Sequence, residues 1–323
     1  MNIIMAEEAQ DDGEIFVYMG GDQQVPDGVR RASIHRSVKI IPRWAFQYRY
    51  QLVSVEFHDD IEIIEEYAFF GCWSLRSVKL LGIKIVKSEA FERCTGLTDV
   101  EFGDKLETIE SHAFCACTFL RNITMPHVRN VGRWAFSFCQ KLTDLDLPEG
   151  LESLEERALS HCTCLRRITM PLQDDMIEDD DVFDGCPQLE TVELVGGIHK
   201  TVASFHMERW RNEMRDEINR INQILPSTNA AEKTEEIKQW MRSVSRLLDH
   251  YKAEHQKVLK EATTLLELAL WKANLDDSEG GVLEREGVRT TRRFRKRARK
   301  EICVTSGANV VIKNVLPFLT MLE

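Results

Sequence analysis

Apolar residues recur along the first two thirds of the chain with a period far longer than that of a helix or a strand. The pair Ala-Phe, or a degenerate form of it, begins at Ala45, Ala68, Ala90, Ala113, Ala135, Ala158 and Val182. Successive positions are 22 to 24 residues apart, and a leucine stands seven residues after each one. Agreement at this many positions indicates seven copies of one structural unit.

Each unit ends in the pattern L-x-x-V-x-L, whose last two apolar positions alternate with a polar one. In the second unit Val78 and Leu80 flank Lys79. Such alternation is typical of a strand with one buried face. Since a single unit cannot bury its own apolar side, the units must stack as coils. The sequence therefore predicts an α/β repeat solenoid with parallel strands on one face.

The pattern divides the chain into five segments. Residues 1–14 are acidic and are predicted to be disordered. Residues 15–35 include the short strand pattern IFVYMGG and are predicted to cap the first coil. The repeats cover residues 36–196, an α-helical hairpin is predicted over 197–282, and residues 283–323 hold a basic segment and an apolar tail.

The hairpin prediction rests on apolar residues at helical spacing. The first helix is indicated by Trp210, Met214, Ile218, Ile221 and Leu225, and Pro226 breaks it. Asn229 with Glu232 resembles a capping box for a second helix of roughly ten turns. A turn is expected at LDDSEGG, residues 275–281. The apolar stripe of the long helix is consistent with coiled-coil pairing either within the chain or between chains.

The repeat unit resembles that of the BspA-like leucine-rich repeat proteins, which reads I-x-x-x-A-F-x-x-C-x-x-L-x-x-V-x-L. Residues 63–80, IIEEYAFFGCWSLRSVKL, are close to this consensus. The resemblance covers about residues 36–196 and implies a shared scaffold without a shared chemistry. The C-terminal helices and tail are similar to the endings of many members from unicellular algae.

Charge and cysteine content refine this picture. The formal net charge of −11 is the balance of −16 over residues 1–196 and +5 over 197–323, which indicates two bodies of opposite charge. Six of the nine cysteines stand at one repeat position, four residues after Ala68 and its successors. We expect them to be reduced thiols packed as small buried side chains. No converging metal-ligand set is apparent, so no metal is predicted.

The N-terminal sequence MNIIMAEEAQDD lacks the basic and apolar regions of a secretory signal. A cytoplasmic location is therefore expected, with a nuclear location as an alternative. Motifs of nucleotide-binding and hydrolytic enzymes are absent. We predict no enzymatic activity and no cofactor.

The polar positions of the strands are candidates for partner binding, because stacking turns them into columns. The residues selected are Arg76, Asp99, Glu101, Arg121, Asn122, Asp144, Asp146, Arg166 and Arg167. Arginines 76, 121 and 166 are expected to anchor acidic groups of an unidentified protein, and the acids to meet basic ones. The alternative is that these columns only keep the sheet soluble.

A basic segment at residues 289–300 supports a second hypothesis. Its patch is formed by Arg292, Arg293, Arg295, Lys296, Arg297, Arg299 and Lys300. Such a run is typical of a nuclear import signal, of a nucleic-acid contact, or of a solvated helix face. Only Phe294 interleaves with the charges, so nucleic acid is the less favoured of these partners. No membrane contact is predicted, and the sequence leaves the oligomeric state open.

Overall fold

The computed structural model describes residues 15–173, 176–177 and 181–279, with side chains through residue 272. Its strands are short and regularly spaced. In chain order they are β1 (Phe16–Tyr18), β2 (Arg31–Ile34), β3 (Ile40–Ile41), β4 (Ser54–Glu56), β5 (Ile63–Ile64), β6 (Ser77–Leu80), β7 (Ile85–Val86), β8 (Asp99–Phe102), β9 (Thr108–Ile109), β10 (Asn122–Thr124), β11 (Asn130–Val131), β12 (Asp144–Asp146), β13 (Ser153–Leu154), β14 (Arg167–Pro171) and β15 (Thr191–Val195).

One row of parallel strands follows the L-x-x-V-x-L positions. It consists of the sheet β1-β2-β4-β6-β8-β10, continued by β12-β14-β15, and β10 lies next to β12. In the pairing of β6 with β8, Ser77 is opposite Asp99 and Leu80 is opposite Phe102, an offset of one repeat. Each residue therefore faces its equivalent in the next coil. The parallel repeat solenoid expected from the sequence is confirmed, and β2 adds a coil upstream of the seven.

A second row of two-residue strands, which was not predicted, lies at the aliphatic positions that precede each Ala-Phe pair. Its order is β13-β11-β9-β7-β5-β3. Beyond β13, Leu154 forms a parallel bridge with Ile177. Ile177 stands five residues before Val182, whereas Leu154 stands four before Ala158, so the last unit has one more residue between these two positions. The described part of each repeat contains strands and turns only, and helices begin after β15.

The core consists of matching side chains stacked from coil to coil. All seven repeat leucines, from Leu52 to Leu189, are fully buried. The rings of Phe46, Phe69, Phe91, Phe114 and Phe136 form a continuous stack. Their successive centroid separations are 4.8, 5.0, 5.1 and 5.5 Å, with interplanar angles of 12° or less. Stacking of these rings adds directional packing to the burial of their surface.

The cysteine column contributes hydrogen bonds as well as volume. Each of the six thiols is buried and free, and its Sγ donates to a backbone carbonyl of the preceding coil; for Cys72 the acceptor is Phe46 O at 3.0 Å. The first coil has Arg49 at this position, where its Nε donates to Val25 O at 2.6 Å. Arg49 thus replaces a thiol donor with a guanidinium donor, which explains the single break in the column.

The turn that carries each Ala-Phe pair uses two left-handed residues. One directly precedes the alanine, as in Trp44 (φ 62°), and the other follows it by three residues, as in Ala116 (φ 57°). Glycine, which adopts this conformation without a steric penalty, stands at the second position in two units, as Gly71 (φ 70°) and Gly185 (φ 70°). Backbone N–H groups of the turn donate to the next coil, as from Phe46 N to Ala68 O at 2.7 Å.

Three helices follow the repeats: α1 (Ile198–Ser204), α2 (Glu208–Ile224) and α3 (Lys233–Glu279). α2 ends at Ile224 and is followed by a 3-10 turn over Leu225–Ser227 that contains Pro226, in agreement with the break predicted at this proline. Asn229 Oδ1 accepts a hydrogen bond from Ala231 N at 3.3 Å, in the turn before α3. The described chain forms two compact units: residues through Ile198 with Glu217–Ser245, and His199–Asp216 with residues from Arg246.

Within the first unit the helical residues close the last coil. Thr234 Oγ1 accepts a hydrogen bond from Phe183 N at 2.9 Å, and Asn222 Oδ1 accepts one from Val192 N at 2.8 Å. Lys233 Nζ donates to Pro187 O at 3.0 Å. These side chains satisfy backbone groups that have no following coil to bond to, which is how a repeat stack is terminated.

Within the second unit the two chain segments run antiparallel. His206 Nδ1 lies 3.1 Å from His255 Nδ1, while Tyr251, further back along α3, stacks on Trp210 at a centroid distance of 5.2 Å. A helical hairpin therefore exists here. The turn predicted at LDDSEGG is wrong over residues 275–279, where α3 continues. Asp and Ser disfavour a helix only weakly, and elongation of an existing helix is cooperative, so the first strong breaker is Gly280.

Candidate interaction surface

The strand row presents one column of side chains to solvent for every column it buries. In β6 and β8, for example, Val78 and Val100 are buried, whereas Ser77 and Asp99 are exposed. The constant register places the exposed residues of neighbouring strands opposite each other, about 4.8 Å apart. We call this set of exposed strand positions and the residues directly before them the strand face.

At the C-terminal end of the strand face, the predicted contact residues are bonded to one another. Arg167 Nε lies 3.1 Å from Asp144 Oδ1, and its Nη2 lies 3.0 Å from Asp146 Oδ1. Its Nη1 also approaches Glu193 at 3.5 Å. One guanidinium on β14 thus contacts three carboxylates, two on β12 and one on β15, the strands on either side of it. Asp144 and Asp146 are therefore engaged within the sheet, and their expected meeting with a basic partner would require this network to open.

The centre of the strand face shows the same internal pairing. Asn122 Nδ2 donates to Asp99 Oδ1 at 2.7 Å, and Thr98 Oγ1 donates to Asp99 Oδ2 at 2.6 Å. The amide of Asn122, followed by the hydroxyl of Thr98, holds the pKa of Asp99 below its usual value. Glu101 in turn pairs with Lys79 at 2.9 Å. The contacts of Asn122 with Asp99 and of Lys79 with Glu101 link polar side chains of neighbouring coils.

Three arginines of the strand face are less constrained. Arg166 Nε donates to Gln188 Oε1, a neutral group, at 3.3 Å. Arg76 and Arg121 are exposed, and neither forms an ion pair with any described carboxylate. They are two coils apart in one column, with Thr98 between them. Their backbone positions are about 10 Å apart, and neither guanidinium forms an ion pair with a described carboxylate, although the charge of Arg121 helps to lower the pKa of Asp99. Arg76 and Arg121 are therefore the most available anchors for acidic groups on this face.

The basic patch of residues 292–300 lies outside the described residues, so the hypothesis of nuclear import or nucleic-acid contact stays a prediction. Among the described residues, no cluster of three or more His, Cys, Asp or Glu side chains is arranged to hold a metal ion. No helix in the described part of the chain is both long and apolar enough to span a membrane.

A second exposed surface was missed by the sequence reasoning. It is an aromatic strip on the turn side of the first two repeats, formed by Trp44, Tyr48, Tyr50, Tyr67, Phe70 and Trp73. Trp44 and Trp73 are 53% and 52% exposed, although aromatic side chains are usually buried. The sequence does distinguish these two repeats, because Tyr50 and Trp73 stand at the repeat position where later repeats carry Thr95 and Thr118.

The repeat geometry agrees with a comparison against known families. The profile of the BspA type leucine-rich repeat region matches in six copies, over residues 28–127 and 84–205, which together span more than half of the chain. The chain belongs to the BspA-type leucine-rich repeat family. The match begins upstream of the predicted repeats, in agreement with the additional coil at β2. It ends at residue 205, so the similarity of the C-terminal extension to algal members stays a prediction.

Several solved structures of repeat proteins are similar to the chain. The leucine-rich repeat protein of T. pallidum is 30% identical, with 41% of this chain and 63% of that chain covered and a TM-score of 0.39. A leucine-rich cell surface protein from Faecalibacterium prausnitzii is 20% identical, with coverages of 52% and 61% and a TM-score of 0.36.

A leucine-rich repeat protein from Bacteroides ovatus is also 20% identical, with coverages of 52% and 62% and a TM-score of 0.38. The chain thus spans under two thirds of the length of these proteins. No match was found among curated proteins.

Proposed function

We propose that this BspA-type repeat protein is a non-catalytic interaction module that grips a partner protein on its strand face. The observation that carries the proposal is the pair of exposed guanidinium groups, Arg76 and Arg121, which form no ion pair with a described carboxylate and stand on a parallel sheet. Repeat proteins present extended binding surfaces of this kind. The internal pairing of Asp99, Glu101 and Asp144 pre-organises the surface around the two arginines, which reduces the entropy lost on binding.

The partner surface that suits Arg76 and Arg121 carries two acidic groups. Arginine presents a planar fork of donors that binds a carboxylate in a bidentate manner, and such contacts are common among binding hot spots. Glu101 is less available because Lys79 is its neighbour, and Arg166 is restrained by Gln188. These residues are expected to contribute orientation more than affinity.

A charge reversal tests the proposal. The double variant Arg76→Glu/Arg121→Glu and the wild-type chain are immobilised and used for quantitative capture of proteins from cells that express the chain. Lys39→Glu, an exposed residue between β2 and β3, serves as the matched control. We expect the specific partner to be lost from the double variant and retained by the control. Equal recovery by all three proteins would exclude the strand face as the binding surface.

We also propose that the protein resides in a reducing compartment, as the cytoplasm is. In support, the eight cysteines among the described residues are free, and six donate hydrogen bonds in their thiol form, as Cys94 does to Phe69 O. Differential alkylation in intact cells measures the fraction of each cysteine that is reduced. Recovery of the column cysteines as disulfides would contradict this location.

A further inference from the structure

The six rings of the aromatic strip form one continuous series of contacts. In order they are Trp73, Tyr50, Tyr48, Phe70, Tyr67 and Trp44, with successive centroid distances of 4.3, 5.7, 5.4, 5.8 and 6.4 Å. Phe70 is buried beneath its neighbours. Gly71 leaves room for the Tyr48 ring, because a Cβ at Gly71 would lie 2.8 Å from Tyr48 Cδ1. The strip is therefore an ordered surface, built into two adjacent coils.

The repeats themselves show that the fold does not require these aromatic residues. The position of Tyr50 and Trp73 is filled by Thr95, Thr118 and Gln140 in the next three coils, on the same backbone. The position of Tyr48 is filled by Ala116 in the fourth coil, with nearly the same φ. Large exposed rings at positions that tolerate threonine, glutamine and alanine indicate a binding role.

The polar atoms of the strip are hydrogen-bond donors that remain available. Among the described residues, the Tyr48 and Tyr50 hydroxyls and the indole N–H groups of Trp44 and Trp73 have no hydrogen-bond acceptor. The backbone beneath them is already used between coils, as in the bond from Tyr48 N to Phe70 O at 2.8 Å. A ligand therefore cannot add as a β-strand here and must be recognised by ring faces and side-chain donors.

The charges around the strip fit an uncharged ligand. Residues 15–104 carry 11 Lys and Arg against 13 Asp and Glu, whereas residues 105–196 carry 8 against 17. The cations that border the strip each have an acidic neighbour: Arg43 has Glu66 at 2.6 Å, Arg49 has Asp27 at 3.2 Å, and Arg93 has Glu92 at 3.5 Å. Arg43 and Arg93 also lie over the rings of Trp44 and Phe70. A polyanion such as RNA or an acidic membrane finds no excess of positive charge here, and a strongly basic segment finds little excess of negative charge.

We infer that the aromatic strip binds a proline-rich segment of another protein in the polyproline II conformation. That conformation has no internal hydrogen bonds, so its carbonyl groups are free to accept from tyrosine hydroxyl and tryptophan N–H donors. Its pyrrolidine rings pack on aromatic side chains, and its pre-formed shape limits the entropy lost on binding. A ligand of this kind has an uncharged backbone, which suits the balanced charge around the strip. It also binds without adding a strand to a sheet, which suits a surface whose backbone groups are already bonded between coils.

The test uses the full-length chain and fluorescein-labelled decaproline, together with an array of Pro-x-x-Pro peptides and matched Gly-Ser peptides. The key variant is Tyr50→Thr/Trp73→Thr, which installs the residue of the next two coils. Trp134→His is the control, because it removes an aromatic residue outside the strip and installs the residue of the preceding coil, His112. Thermal unfolding checks that each variant is folded.

We expect fluorescence anisotropy to show saturable binding of decaproline, or of Pro-x-x-Pro peptides on the array, to the wild-type chain and the Trp134→His control. The double variant should bind about tenfold or more weakly, as for removal of two aromatic hot-spot residues. The Arg76→Glu/Arg121→Glu variant should retain this binding, which separates the inference from the proposed function. Absence of binding, or equal binding by the double variant, would overturn it. Binding of oligosaccharide or lipid vesicles through the same residues, or self-association through them, would also overturn it.

Discussion

The Nζ atom of Lys233, at the first position of α3, donates a hydrogen bond to the backbone carbonyl of Leu189 in the last coil at 2.5 Å. The side chain is almost fully buried, and it also donates to Pro187 O. Burial lowers the pKa of Lys233, so the amine is held there despite a desolvation cost. The lysine therefore contributes a specific closing contact to the repeat stack.

Replacing Lys233 with methionine should destabilise the first unit. The substitution preserves most of the buried aliphatic length but removes the donor from the buried Leu189 carbonyl and the partly buried Pro187 carbonyl. We therefore expect a loss of about 2 kcal/mol in the free energy of unfolding. Urea denaturation measures the loss. Lys252→Met, at an exposed position of the same helix, is the control and should change stability little. A neutral effect of Lys233→Met would show that the carbonyls are satisfied in another way.

Replacing either of two alanines in one turn with glycine should change the stability of the protein, in opposite directions. Ala116 has φ 57°, a conformation that is strained for any residue with a Cβ, so Ala116→Gly should stabilise the protein by about 1 kcal/mol. Ala113 is fully buried in the core, and Ala113→Gly should destabilise it by about 1 to 2 kcal/mol. Thermal or urea unfolding of both variants decides the matter. Effects of the same sign would contradict the assigned turn geometry.

Removal of the guanidinium from Arg167 should leave three carboxylates facing one another on the strand face. Arg167→Gln is expected to lower the free energy of unfolding by about 1 kcal/mol at low ionic strength, with a smaller loss in 1 M salt, where repulsion is screened. Arg166→Gln is the matched control, because Arg166 bonds to a neutral partner and its effect should not depend on salt. A salt-independent loss for Arg167→Gln would argue against the network.

Glu92 makes the stability of the repeats depend on pH. Burial, and then the charge of Glu89, raises the pKa of Glu92 to about 7. Since its pKa is raised in the folded state, its contribution is fully present below about pH 4.5 and is lost as the pH rises through 7. Glu92→Gln should therefore increase stability by about 2 kcal/mol at pH 8 and have little effect at pH 4.5. Arg93 partly offsets the cost by pairing with Glu92.

Urea denaturation at the two pH values measures the difference, with Glu107→Gln at an exposed position as the control. A stabilisation of equal size at both pH values would mean that a difference in packing between glutamate and glutamine, and not the ionisation of Glu92, causes the effect.

Thiol reactivity should single out Cys164. It is the one half-buried cysteine among the eight that the structure describes, whereas burial raises the pKa of Cys115 to about 12 and that of Cys139 still further. In a Cys303→Ser background, a maleimide at pH 8 should therefore label Cys164 first, and the column cysteines only at the rate of unfolding. Mass spectrometry of tryptic peptides follows the order of labelling. Fast labelling of Cys115 would contradict its packing.

The repeat solenoid was predictable because its period is encoded redundantly, in the leucine, Ala-Phe and cysteine columns together. The strands at Ile63–Ile64 and its equivalents were missed because two residues carry no alternation. Strand β2 lies in the segment predicted to be a cap, residues 15–35, because that segment lacks both the Ala-Phe pair and the cysteine. Helix α3 continues through residues 275–279 because helix elongation outweighs the local turn preference of these residues.

The strand face shows the limit of sequence reasoning for the candidate site. The residues that lie on the strand face could be predicted from the repeat register alone. Which of these residues pair with one another could not be predicted in this way. Asp144 and Arg167 are 23 residues apart, and only the lateral geometry brings them to 3.1 Å. Whether an arginine is unpaired, as Arg76 is among the described residues, or paired, as Arg167 is, depends on which neighbouring side chains lie within reach, and the sequence columns do not contain that information.

In the strand row the backbone of each strand pairs with the strands on either side of it, and the register between neighbours is one repeat. A whole coil is therefore an exchangeable module, because duplication or loss of an internal unit would preserve the backbone pairing between neighbouring coils and leave the closing contacts of Lys233 unchanged. The length of the protein can thus vary over evolution in steps of one coil. Each added or lost coil would change the distance along the solenoid between the aromatic strip and the later positions of the strand face.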